Sequence, residues 1–345
     1  MIRPVKEVAH EAFLTLKKYQ SGELKPVKTG REWMDNIFGG LLPQDIVTIA
    51  GASGGGKSFE LQRVKNYVMK KENNPNADKY IWLDNSLEMR LLSNIIRDLN
   101  QNLEKSKRKI LTIPFSPAEK QLVNNYAKQI MDGRFFIDEE ATTADVFETR
   151  TREFLKEHTD KLAVFVTIDH IALAKNGSSD KKGAVDGIVE AINRLKKEFP
   201  NAIWIVLSQL NRTILNRIKD NDIMAMPNRG DVFQSDTMYH ISDYLYVTHN
   251  PYRLGINEFS RVNAKQYDYL EEHFTEPDKK GKVSFKTLAK MFFIVLKSRE
   301  SEIIFDDIFI EDIDLPNLDK YVSKQDSVMG EIAEPNFGDE EDKPF

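Results

Sequence analysis

The sequence predicts an α/β fold in which a mostly parallel central sheet is flanked by helices. Three observations predict it: apolar runs rich in β-branched residues recur along the chain, helical stretches separate several of them, and a glycine-rich turn follows directly on the first run. A chain of 345 residues with 41% hydrophobic content is long enough to bury one large core. No run of 18 apolar residues occurs, and Met1-Ile2-Arg3-Pro4 lacks the apolar centre of a signal peptide. A cytoplasmic protein with no membrane partner is therefore expected. There is no cysteine, so disulfides and thiolate metal sites are excluded, and the six histidines lack metal-binding spacing.

In chain order, residues 4–20 set Val5, Val8, Ala9, Ala12, Phe13, Leu16 and Tyr19 at helical spacing, which predicts an amphipathic helix ended by Ser21-Gly22. Pro26 to Gly40 reads as a linker. Ile46 to Ala50 reads as a buried strand, and further strands are predicted at Tyr80–Leu83, Arg134–Ile137, Leu162–Ile168, Ile203–Leu207, Tyr244–Val247, Phe292–Leu296 and Ile303–Ile310. Helices are expected over Ser58–Lys71, Ala144–His158 and Val185–Glu198. Two polar stretches, Lys175–Gly187 and Arg212–Asp231, follow strands directly, where α/β proteins place ligand-contacting loops. Residues 253–290 form a charged insertion. Three segments result: a helix over 1–25 for subunit docking, a core over 26–315, and an acidic tail over 316–345 that is expected to be disordered.

The net charge of −5 is carried by that tail, which holds eight acids against three lysines. The rest of the chain is balanced, so a local basic surface for nucleic acid is not excluded. The tail ends in Asp339-Glu340-Glu341-Asp342-Lys343-Pro344-Phe345. Its acids and terminal aromatic suit a docking peptide for a basic, apolar pocket on a partner, and equally a solvating tail.

Gly51-Ala52-Ser53-Gly54-Gly55-Gly56-Lys57-Ser58 fits the phosphate-binding pattern GxxxxGK[ST] between a strand and a helix, and with the adjacent Phe59 it is the candidate nucleotide-binding segment. Its glycines let backbone N–H groups surround phosphate oxygens, Lys57 supplies a charge to the β- and γ-phosphates, and the Ser58 hydroxyl can ligate Mg²⁺. ATP or another NTP is the expected cofactor. Asp169 ends the apolar run Val164–Ile168 and falls near the metal, or it caps a strand end. Glu88 follows another strand and can polarise an attacking water, or cap a helix. Gln209 ends a third strand, placed to sense the γ-phosphate or to serve as a loop polar group. Lys175, Lys181 and Lys182 in the first polar loop, with Arg212, Arg217, Lys219 and Arg229 in the second, are candidate contacts to single-stranded DNA.

Thr29-Gly30, the Gly51–Ser58 loop, Ser86-Leu87-Glu88-Met89, Ile168-Asp169-His170, Ser208-Gln209-Leu210-Asn211-Arg212, Ser242-Asp243 and Lys297-Ser298-Arg299 resemble, in order and rough spacing, the RecA-like motor domain of DnaB-like replicative helicases. The resemblance spans about residues 4–310. It implies Glu88 as catalytic base, Asp169 as Walker B carboxylate, Gln209 as γ-phosphate sensor, and Lys297 with Arg299 as the pair reaching into a neighbour's nucleotide. It also implies a hexameric ring on single-stranded DNA that moves 5′ to 3′ and unwinds a fork. Glu300-Ser301 departs from the family's usual turn, leaving Arg253 as the substitute finger and Arg299 open to pairing with a local acid. The family's N-terminal collar domain is missing, which suggests a compact phage-type version whose primase, loader, polymerase and single-strand-binding partners are other chains. The tail resembles the acidic Pro-Phe tips of single-strand-binding proteins. A RecA-type recombinase or regulatory DNA-dependent ATPase is the competing reading.

Overall fold

A computed structural model of the chain describes residues 4–86, 91–103, 105–140, 143–169, 171, 181–211, 214, 216, 226–233, 235–256, 258–260, 284–299 and 307–312. Six strands lie parallel: β1 (Ile46–Gly51), β2 (Tyr80–Ser86), β3 (Phe135–Asp138), β4 (Ala163–Asp169), β5 (Ala202–Gln209) and β6 (Tyr244–His249). Strands β7 (Glu258–Ser260) and β8 (Ser284–Lys286) pair antiparallel as a separate two-stranded sheet in the charged insertion, with Phe285 packed into the main core. Strands β9 (Lys290–Ser298) and β10 (Asp307–Asp312) then close one side antiparallel, giving the order β10-β9-β6-β1-β5-β4-β2-β3. The sheet is mixed but mostly parallel, as the apolar runs predict.

Nine helices are described: α1 (Val5–Gln20), α2 (Glu32–Phe38), α3 (Lys57–Val68), α4 (Leu91–Asn102), α5 (Lys107–Thr112), α6 (Pro117–Ile130), α7 (Ala144–Glu157), α8 (Lys181–Glu198) and α9 (Ser235–Ile241). All six residues of β1 are buried, because a central parallel strand is covered on both faces. On one face Ile46, Val166, Trp204 and Val247 pack with Val185, Ile188 and Ile192 of α8. On the other, Val47, Ile49, Phe165 and Tyr246 pack with Trp33, Leu61 and Val64 of α2 and α3. A satellite core of Leu99, Leu103 and Tyr126 joins α4 to α6.

Four expectations change. Pro26 to Gly40 is not simply a linker: Trp33 of α2 stacks on Phe309 with centroids 5.1 Å apart, and Gly39 ends the helix at φ 70°. The Asp35 carboxylate holds the turn before it, accepting from the N–H and the hydroxyl of Thr29, each at 2.8 Å. The predicted strand at Tyr80–Leu83 continues through Asp84, Asn85 and Ser86, which pair in register with Thr167, Ile168 and Asp169. Lys181 and Lys182 open α8 rather than lying in a loop. Finally, β10 begins at Asp307, and residues 303–306 of the predicted strand lie outside the described residues.

Helix α1 forms as its spacing predicts, yet it buries none of its residues. Val5, Phe13 and Leu16 are 82%, 65% and 49% exposed. Its apolar stripe is thus left uncovered by the described parts of its own chain. No described helix is long and apolar enough to cross a membrane.

Candidate nucleotide site

The site is built at the C-terminal edge of the parallel strands, where β1 turns sharply into α3. Gly51 must lack a side chain, since a Cβ there would sit 2.8 Å from the carbonyl oxygen of Thr248. Gly56 precedes the helix at φ 98°, a backbone conformation open to glycine. No side chain caps the start of α3, so the positive end of its dipole faces the loop. The Lys57 ammonium donates to the carbonyls of Gly51 at 2.8 Å and Ala52 at 3.0 Å, which folds it over the loop where phosphate oxygens would lie. Ser53 and Gly54 are exposed, Gly55 is buried, and Gly56, Lys57, Ser58 and Phe59 are half-buried.

Neighbouring strands bring the other groups to the same edge. Gln209 lies opposite Gly51 in register, and Asp169 lies opposite Ser86. Ser58 and Asp169 line one cleft together with Asp84, Asn94, Arg97 and Asp98. A hydroxyl and a carboxylate beside a glycine cradle are the hard oxygen donors that a nucleotide-borne Mg²⁺ takes, so the residues present fit that group. Among the described residues no cluster of three or more His, Asp or Glu forms a separate metal site. Glu88 lies outside the described residues, between the end of β2 and the start of α4.

Gln209 is wired to both flanks through its backbone. The N–H of Leu210 donates to Gly51 O at 3.2 Å, and the N–H of Phe233 donates to Gln209 O at 2.8 Å. Residues 231–233, which end the second polar loop, therefore sit against the strand that meets the phosphate loop. Of the candidate DNA contacts, Lys175, Arg212, Arg217 and Lys219 lie outside the described residues. Arg229 is described: it pairs with Asp236 at 3.4 Å and its guanidinium lies 3.7 Å from the ring centroid of Tyr239.

Several groups around the cleft carry no motif. Asp84 is fully engaged, paired with Lys65 and accepting from Trp82 Nε1 at 2.8 Å and Thr167 Oγ1 at 2.6 Å. Asp98 accepts from Gln62 Nε2 at 2.8 Å and from the Tyr126 hydroxyl, which ties α4 and α6 to α3. Burial pushes the Asp98 carboxyl up to about 6. Three residues after Lys57, Glu60 is almost wholly buried against Arg31, whose Nε lies 3.0 and 3.2 Å from its two oxygens. Arg31 also pairs with Glu311 of β10 and lies 4.2 Å from the ring centroid of Phe293. On β6 beside the loop, His249 is buried with neither ring nitrogen hydrogen-bonded, and burial lowers it to about 3.

Lys297 and Arg299 stand at the opposite edge. Asp243 accepts from Ile46 N–H at 2.9 Å, from Lys196 at 2.8 Å and from Arg299 at 2.7 Å. The Arg299 guanidinium also donates to His240 O at 3.2 Å, and Lys297 pairs with Leu245 across the sheet. The acid that holds Arg299 is therefore Asp243, while Glu300 lies outside the described residues. From Ile46 to Gly51 the strand rises by about 17 Å, further than an arginine side chain reaches. Arg253 sits at the phosphate edge instead, exposed in the turn after β6.

Residues 26–300 match the family described as DnaB-like helicase C terminal domain. A solved structure described as the ATPase domain of G40P shares the fold at TM-score 0.63 and 17% identity, covering 87% of this chain and 93% of that one. Another, described as a DnaB-like replicative helicase and its interactions with primase, aligns at TM-score 0.60 and 18% identity over 87% of this chain and 63% of that one. A search of curated protein sequences finds no match. The family match covers most of the chain, and the shared fold agrees with it: the protein belongs to the DnaB-like helicases, NTP-hydrolysing enzymes with an α/β P-loop core of RecA-like form.

Proposed function

We propose that this helicase acts as a hexameric ring that encircles single-stranded DNA, moves 5′ to 3′ and unwinds the duplex at a replication fork. The observation that carries the ring is the separation of the phosphate loop from the Lys297–Arg299 pair by the length of β1. A nucleotide at Gly51–Ser58 meets those cations only if a second copy supplies them. The uncovered stripe of α1 supplies apolar area for such a contact. The direction of movement rests on the family resemblance.

In this reading Lys57 and the α3 dipole bind the phosphates of ATP or another NTP, and Ser58 and Asp169 hold its Mg²⁺. Bound metal neutralises charge that develops on the transferred phosphoryl group. Glu88 takes a proton from the attacking water, and Gln209 senses the γ-phosphate and passes its state through Phe233 to the second polar loop. Lys297 and Arg299 stabilise the transition state from the neighbouring subunit, Arg299 by its planar, permanently charged fork. Lys181 and Lys182, at the start of α8, remain candidates for contact with DNA phosphates. Primase, loader, polymerase and single-strand-binding protein are proposed partners, the last two through the acidic tail, in the cytoplasm of a bacterial host.

Strand displacement on a forked duplex, measured beside hydrolysis with and without single-stranded DNA, tests the whole. DNA-stimulated hydrolysis with displacement from the 5′-tailed strand is expected. Stimulated hydrolysis with homologous pairing and no displacement would instead identify a recombinase-type ATPase.

A further inference from the structure

Tyr239 sits at the centre of the basic cluster on the edge opposite the phosphate loop. Its ring centroid is 3.7 Å from the Arg229 guanidinium carbon and 4.7 Å from the Lys297 ammonium. The same ammonium donates to the Tyr239 backbone carbonyl, and Arg299 donates to the carbonyl of the next residue, His240. Arg229 belongs to the end of the second polar loop, while Lys297 belongs to β9; they are 68 residues apart in sequence and share one aromatic ring. Two like charges do not gather without a reason. The negative face of an aromatic ring attracts each of them, and no carboxylate within ion-pair distance of Lys297 is found among the described residues.

We propose that Tyr239 is a positioning residue: its ring is the common seat of Arg229 and Lys297 and couples the second polar loop to the cation pair offered to a neighbouring nucleotide. The proposal rests on the reading that Lys297 and Arg299 act in trans. Three features support the seat. Lys297 is half-buried; burial and the nearby Arg299 lower its affinity for a proton while Asp243 raises it, and the ring face adds to the backbone carbonyls of Tyr239 and His240 that receive its ammonium. Arg229 is half-exposed and is held from two sides, by Asp236 at 3.4 Å and by the ring face, whose centroid lies 3.7 Å from its guanidinium carbon. Asp231 and Phe233 are hydrogen-bonded to Asn211 and Gln209 at and just after the end of β5, which sets Arg229 two residues before that anchor. If Arg229 leaves the ring, the charge crowding Lys297 goes with it, and the lysine settles on the ring more firmly.

The test uses the full chain. Tyr239→Leu removes the aromatic face but keeps an apolar residue on α9, whereas Tyr239→Phe keeps the face. Tyr239→Leu is expected to lower the kcat of DNA-stimulated hydrolysis by roughly 3- to 10-fold with KM for nucleotide unchanged. Tyr239→Phe should restore the parental value. In a Lys297→Ala background, Tyr239→Leu should cause no further loss. A parental DNA-stimulated rate in Tyr239→Leu, or an equal loss with and without Lys297, overturns the proposal. A parental rate in Lys297→Ala itself overturns the trans reading, and this outcome is separable because stacking is read without turnover. Upfield shifts of the Lys297 ε-methylene resonances, seen with ¹³C-labelled lysine, should be present in the parent and Tyr239→Phe and absent in Tyr239→Leu; their absence in the parent would contradict the seat directly.

Discussion

The two edges of the central sheet are opposite in character although the same strands make both. At the C-terminal edge, β1 ends in glycines, an uncapped helix start and a lysine that donates to the backbone carbonyls of Gly51 and Ala52. At the N-terminal edge the cations are held by side chains: Asp243 receives Lys196, Arg299 and the N–H of Ile46, and Tyr239 receives Arg229 and Lys297. The first edge is shaped to surround an anion within one chain. The second presents ordered charge outward, with Arg299 about half exposed. In the proposed reading these are the two halves of a phosphoryl-transfer site, which a single chain holds but cannot bring together.

The sharpest way to break the first edge is Lys57→Ala. It removes the charge that meets the phosphates, and nucleotide turnover is expected to fall by roughly 100-fold or more, measured by phosphate release at saturating nucleotide. Retained turnover would mean that backbone N–H groups alone bind the phosphates. Arg31→Ala attacks the same edge from behind. It leaves the buried Glu60 carboxylate unpaired and should cost about 3–5 kcal/mol of stability by urea unfolding. A loss under 1 kcal/mol would show that Glu60 takes up a proton or finds water at little cost.

A chain beginning at Leu24 tests what joins edge to edge. Exposed Val5, Phe13 and Leu16 are each worth roughly 1.5–3 kcal/mol if a neighbour buries them, so the truncated protein should have a smaller mass by light scattering while its isolated fold persists. Equal masses would show that assembly does not use α1.

The smallest effect is a matter of pH. The His249 imidazole, lowered to about 3, is neutral in the fold and takes up a proton more readily when unfolded, so its contribution to stability falls as pH drops from 6.5 towards 3. The Asp98 carboxyl, raised to about 6, has the opposite sign: its folded form holds the proton better, so its contribution is fully present below 3.8 and is lost as pH rises through 6. Between about pH 4 and 6 the two oppose each other. Asp98→Asn should therefore steepen the loss of stability on acidification, and His249→Phe should flatten it. Identical pH slopes in parent and both variants would place neither group in the apolar setting described.

How much of this was legible in the sequence follows from which interactions are local. The P-loop was fully legible, because a strand, four glycines and Lys57-Ser58 are contiguous. Helix α6 was not predicted, although Ser116-Pro117-Ala118-Glu119 carries a local start signal: Ser116 and Glu119 close a capping box. Helix α2 was hidden: it spans two turns, and several partners of its apolar residues, Phe309 and Tyr246 among them, lie far away in the chain. The partner that the structure gives Arg299, Asp243, lies 56 residues earlier, beyond any local reading of the sequence, because antiparallel β9 ends beside the start of β6. Tyr239 was invisible for the same reason, since nothing in its neighbours marks it as the meeting place of Arg229 and Lys297.

The central claim is that one subunit supplies the phosphate edge and its neighbour the cation edge. Mixing Arg299→Ala chains with Glu88→Gln chains tests it most directly, by nucleotide hydrolysis as the two are titrated against each other. Each protein alone should be nearly inactive. Mixed assemblies should regain activity, because an intact Glu88 site on the first faces an intact Arg299 on the second. Activity that never rises above the sum of the two alone, at any ratio, in assemblies shown by mass to be mixed, would contradict the account.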